Sequence, residues 1–83
     1  MMKTGQAVKL RAYDDVIKDK ECARFVDNED IYGISRKLWE RIRAADINTF
    51  VDNTTVIGIV EIKSSYGGIW FVPEKALNKV GAT

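Results

Sequence analysis

From Gln6 to Arg11 polar and apolar residues alternate, which predicts a short strand over 6–11 with Val8 and Leu10 on the buried side. Residues 12–20 keep no period and read as a loop with one helical turn around 14–17. A second strand is predicted over 22–26, ended by Asp27-Asn28-Glu29-Asp30, short polar side chains that favour turns by bonding their own backbone. The period becomes helical at Ser35, a residue type that caps the free N–H groups of a first turn. Ile34, Leu38, Ile42 and Ala45 then recur at steps of four, four and three and form one apolar stripe, so an amphipathic helix is expected over 35–45. Arg36, Glu40 and Arg43 share a different face, where Glu40 can pair with either arginine, and Trp39 flanks the stripe and is expected at the edge of the core.

Beyond Asp46 the period changes to two. Residues 47–51 read as a strand, Asp52-Asn53-Thr54 as a tight turn, and 55–63 as the longest strand. In that strand Val56, Val60 and Ile62 point one way and Ile57 and Ile59 the other, so its first half belongs in the middle of the sheet or under the helix. Gly58 inside it predicts a bulge or bend. Residues 64–68 form a turn, and 69–72 the next strand, with Phe71 assigned to the core and Trp70 partly exposed. Pro73 stops that strand and suits the first position of a helix, predicted over 74–80 with Leu77 and Val80 inward and Gly81 as its end. These elements make a single α+β domain over residues 1–83: a small, bent antiparallel sheet of four or five strands, barrel-like, with one helix across an opening and a short C-terminal helix.

Three stretches carry a family likeness. The opening Gly5-Gln6-x-Val8-Lys9-Leu10-Arg11, the helix Ile34-Ser35-Arg36-Lys37-Leu38-Trp39-Glu40-Arg41-Ile42 ahead of paired strands, and the closing Ile69-Trp70-Phe71-Val72-Pro73-Glu74-Lys75-Ala76-Leu77 resemble the small SH3-like barrel proteins of Gram-positive phages and prophages. The resemblance covers about half the chain, leaves residues 12–30 unmatched, and implies an SH3-like, partly open barrel and a phage or prophage origin. That group is mostly without assigned function, so the likeness informs architecture more than activity.

Composition changes the picture mainly by exclusion. Apolar residues make up 46% and charged residues 30% of the chain, the mix of a soluble globular domain. Thirteen basic residues oppose twelve acidic ones for a net charge of +1, so no global field selects nucleic acid or a membrane. There is no histidine, the commonest general base and metal ligand. The single cysteine, Cys22, forms neither an internal disulfide nor a zinc site. The N-terminus lacks the apolar run of a secretion signal, and the longest apolar stretch, Val56-Ile57-Gly58-Ile59-Val60, falls far short of a bilayer span. A cytoplasmic protein without a cofactor is expected.

Candidate chemistry is correspondingly thin. Lys20 and Arg24 flank Cys22 and favour its thiolate, yet no base stands by it, and a buried, inert thiol is the expectation. Asp27, Glu29 and Asp30 cluster like ligands for a hard cation, but a calcium loop counted from Asp27 would place Ile31, Tyr32 and Leu38 where an acid, a glycine and an acid belong. The neighbouring carboxylates Asp14/Asp15 and Glu29/Asp30 lack the unequal surroundings that acid–base catalysis needs, so no enzyme is expected.

The expected function is a non-enzymatic binding module that contacts another protein, possible surfaces being the acidic 14–30 segment around Asp27, Glu29 and Asp30, and the aromatics Tyr66 and Trp70. Seven carboxylates against three bases over 14–30 could imitate a nucleic-acid backbone in a host protein's basic groove. The alternative is a nucleic-acid binder using Arg36, Lys37, Arg41 and Arg43, four cations in eight residues of helix. A further alternative is a homo-oligomeric component joined through an unpaired strand edge.

Overall fold

The alternation after Gly5 forms strand β1 (Ala7–Leu10), with Val8 and Leu10 buried. In the computed structural model, which describes residues 3–44, 48–65 and 67–80, two short helical turns follow. The first, α1 (Tyr13–Val16), coincides within a residue with the predicted turn and buries Tyr13 and Val16. The second, α2 (Lys20–Ala23), replaces the strand expected over 22–26. Its cause is Asp19, whose carboxylate accepts from the backbone N–H groups of Glu21 and Cys22 and so caps the turn.

Only at Val26 does the chain become extended, as a two-stranded ribbon of β2 (Val26–Asp27) and β3 (Asp30–Ile31). Its turn is Asn28-Glu29, both left-handed with φ of 49° and 68°, the geometry that fits two-residue hairpins. A second tight turn, Tyr32-Gly33, follows directly, with Ile31 and Ile34 exchanging both backbone hydrogen bonds at 2.9 Å. Ile34 is thereby buried immediately ahead of helix α3 (Arg36–Ala44).

Ser35 caps α3 as expected, its hydroxyl accepting from the Leu38 N–H at 3.2 Å. The helix sits differently about its axis, however. Trp39 is not at the edge of the core but fully buried, while Leu38 is only half-buried. The indole N–H of Trp39 donates to the Arg11 carbonyl at 2.9 Å and its ring meets Tyr13 edge-on, which removes the polar reason for keeping it at the surface. Ala45 and Ile47 lie outside the described residues.

Strand β4 (Asn48–Asn53) runs through the positions expected to turn, and β5 (Ile59–Ser64) begins four residues later than expected. Between them Thr54 closes a loop: its hydroxyl donates to the Ile59 carbonyl at 2.8 Å and accepts from the Val56 N–H at 3.2 Å. Val56 and Ile57 are therefore exposed at a loop tip, not paired in a strand, and Ile57 is 88% exposed. Gly58 is not a strand bulge. It ends that loop at φ of 92°, with its Cα so near Phe25 that an added Cβ would stand 3.3 Å from the ring. The register shift occurs instead in β4, between Phe50 and Asp52.

A turn brings the chain to β6 (Ile69–Pro73), where the expected alternation holds with the faces reversed: Val72 is buried and Trp70 packs against the core, whereas Ile69 and Phe71 are exposed. The helix predicted over 74–80 is also overturned. A single 3-10 turn (Glu74–Ala76) leads into a seventh strand, β7 (Leu77–Lys79), which pairs antiparallel with β1. The free side of β1 offers a row of unpaired backbone groups, and Leu77 enters the core from a strand as readily as from a helix. Gly81 lies outside the described residues.

The result is a small α+β structure built on an open antiparallel sheet in the order β6-β5-β4-β1-β7, with β6 and β7 as its edges. The inner face of this sheet, α1, Cys22 of α2, the hairpin isoleucines, and Trp39 and Ile42 of α3 share one core.

Candidate functional site

Strand β6 is one of the two edge strands, and the core covers its inner face incompletely. Trp70 lies on that face half-buried, and beside it Leu38, Arg41 and Ile42 of α3, with Ser64 and Gly68 from the β5–β6 turn, line a cleft of about 500 Å³. The positions follow from local structure. Leu38 and Ile42 stand one helical turn apart, and Arg41 projects beside them at the rim. The turn is pinned by Ser64, whose N–H donates to the Gly68 carbonyl at 2.8 Å and whose hydroxyl accepts from the Gly68 N–H at 3.2 Å. Gly67 supplies the positive φ, 90°, that lets the turn close.

Two polar groups border this cleft, one buried and one exposed. The indole N–H of Trp70 is buried against Gly68 and has no hydrogen-bond partner among the described residues. Arg41 is exposed and forms no ion pair among the described residues. An apolar floor beside a guanidinium that forms no ion pair among the described residues suits an apolar side chain next to a carboxylate.

The other basic positions of the helix are less free. Arg36 pairs with Asp14 and lies 4.4 Å over the Tyr13 ring, and Arg43 pairs with Glu40 at 3.3 Å. Of Arg36, Lys37, Arg41 and Arg43, only Lys37 and Arg41 remain without an ion pair among the described residues.

Asp27, Glu29 and Asp30 sit on the β2–β3 ribbon, with Asp27 directly opposite Asp30, and none of them lines the Trp70 cleft. Their neighbourhood is Tyr13: burial raises its hydroxyl above the ordinary tyrosine range, Arg36 opposes that shift, and Asp30, Glu29 and Asp14 add to it. Among the described residues no three His, Cys, Asp or Glu side chains come together as a metal site would require. Tyr66 lies outside the described residues. Cys22 is fully buried, and burial raises its thiol, with Asp19 next in effect, so the flanking cations do not activate it. No helix among the described residues is long and apolar enough to cross a membrane.

Sequence reasoning thus reached Trp70 and Arg41 under two separate headings, and the fold joins them in one cleft. It missed Leu38 and Ile42 as lining residues, since their stripe also serves the core, and Ser64 and Gly68, which read only as turn. Comparison with family models, with curated proteins and with solved structures gave no match.

Proposed function

We propose that this chain is a non-enzymatic binding module of SH3-like type that takes an apolar, acid-flanked segment of another protein into the Trp70 cleft. The observation that carries the reading is the meeting of a half-buried Trp70 with Arg41, which forms no ion pair among the described residues, across an apolar floor. An apolar side chain buried there leaves water, and a carboxylate beside it meets the guanidinium, so affinity and selectivity come from different groups. The SH3-like assignment is supported by five antiparallel strands in which the first and last lie side by side, with a 3-10 turn leading into the last. An accessory role of phage or prophage type, with a host or viral protein as partner, accords with the resemblance of the opening, helical and closing segments.

Selection from a displayed random-peptide library tests the proposal. The wild-type chain should enrich peptides that place Asp or Glu beside a large apolar residue. Trp70→Ala should weaken the best of them by about tenfold or more, and Arg41→Glu should turn the preference toward Lys and Arg. Enrichment of nothing, or equal binding of the same peptides by both variants, would contradict it.

A further inference from the structure

The two edges of the sheet are unequally protected. At β7 the Leu77 N–H is consumed by the 3-10 turn, donating to the Glu74 carbonyl, and the outward side also carries Lys79, a charge of the kind that discourages strand addition. At β6 the run Ile69-Trp70-Phe71-Val72 contains no charge.

The outward backbone groups of β6 can be identified from the pairing. Ser64 donates to Gly68, so its partners toward β6 alternate, and Ile62 with Trp70 and Val60 with Val72 are the hydrogen-bonded pairs. The N–H and C=O groups of Ile69 and Phe71 therefore face away from β5, as does the nitrogen of Pro73, which has no hydrogen to give. Both side chains on this bare edge are apolar and exposed, Ile69 by 53% and Phe71 by 43%.

We infer that β6 is an interface between two copies of this chain, joined edge to edge as antiparallel strands about a two-fold axis at Trp70. In this register Ile69 lies opposite the partner's Phe71, and Phe71 opposite the partner's Ile69. Each of these is a hydrogen-bonded position, so all four outward groups of Ile69 and Phe71 on each strand find partners, while Pro73 falls beyond the paired stretch. Other symmetric registers do worse. Centring the pairing on Phe71 sets Ile69 against the N–H-less Pro73, and centring it on Ile69 sets Phe71 against Gly67, which has no side chain to cover it.

The outer face matches as well. Glu61 neighbours Phe71 and Lys63 neighbours Ile69 across β5–β6. Each row through the joined sheet therefore runs from an acid through two apolar residues to the partner's Lys63, with no like charges brought together. A second copy supplies the apolar cover and the opposite charge that the edge lacks. The pairing also brings the two Trp70 residues to neighbouring positions on the inner face, so that the two clefts adjoin.

Sedimentation equilibrium of the full chain, run with native-state amide exchange, tests this. The dimer fraction should rise about fivefold between about 10 µM and about 1 mM, as expected for an interface of only two short strands. Over the same range the amides of Ile69 and Phe71 should gain protection, while those of Trp70 and Val72, already bonded to β5, stay constant. Ile69→Lys with Phe71→Lys, both at exposed positions, should leave the circular dichroism unchanged and abolish the dimer, and Lys79→Ile should not weaken it. A chain that remains monomeric at 1 mM, or a dimer that forms without added protection at Ile69 and Phe71, overturns the inference even where the lysine variant fails to fold.

Discussion

The indole nitrogen of Trp39 donates to the main-chain carbonyl of Arg11 at 2.9 Å, tying the middle of α3 to the end of β1 across twenty-eight positions of sequence. The bond settles the rotation of the helix. With Trp39 turned inward against Tyr13, Leu38 is left half-buried and Arg41 outside, which is what opens the cleft beside Trp70.

Trp39→Phe should therefore be costly although it keeps an aromatic ring. It removes the donor from a part-buried carbonyl and leaves a small void in the core, so a loss of about 2–3 kcal/mol is expected in urea unfolding. Unchanged stability would mean that the helix is not fixed through this residue.

The reversed faces of β6 make a paired prediction. In dilute solution Val72→Ala should cost about 2 kcal/mol, as removal of buried methyl groups does, whereas Phe71→Ala should cost under about 1 kcal/mol. The opposite order would restore Phe71 to the core.

Glu29 holds φ of 68° in the ribbon turn without being glycine or asparagine. Glu29→Gly should relieve that strain and stabilise the chain by about 1 kcal/mol in the same assay. Asp27→Asn should add roughly 0.2–1 kcal/mol more by removing the like charge opposite Asp30, and the gain should shrink in salt.

Asp19 gives the pH dependence. The backbone N–H of Glu21, then the Arg11 side chain at 3.3 Å, hold its carboxyl below the ordinary aspartate range. A lowered folded-state pKa means that the charged form is favoured by folding. Its contribution is thus fully present above the unfolded aspartate value of ~4 and is lost as pH falls through the folded one. Asp19→Asn keeps a capping oxygen and removes the charge. Its stability deficit relative to wild type should be constant between pH 5 and 7 and shrink on acidification below about pH 4.

Legibility in the sequence followed the physical source of each signal. Strand β1 and helix α3 were readable because their side chains repeat at a single period and Ser35 caps the helix start. The bounds of the central strands were not, because Thr54 closes its loop with hydroxyl bonds that hydrophobic alternation does not encode, and Val56 and Ile57 look like strand while standing in solvent. Residues after Pro73 favour helix locally, yet the open side of β1 draws Leu77 into a ladder, a contact between positions 67 residues apart. Alternation showed that Trp70 and Phe71 face opposite ways but not which faced in, since that depends on where α3 lies. For the same reason Trp70 and Arg41 were visible as separate candidates, while their cleft became visible only in the fold.

Of all these measurements, the Trp70 indole resonance tests the central claim most directly. In a two-dimensional nitrogen–proton spectrum the chain shows two indole signals, and an acid-flanked apolar peptide enriched from the library is titrated in. The Trp70 indole and the backbone amides of Arg41 and Gly68 should shift together and saturate, while the buried Trp39 indole stays in place. Shifts confined to residues 27–30, with the Trp70 indole unmoved, would contradict the account.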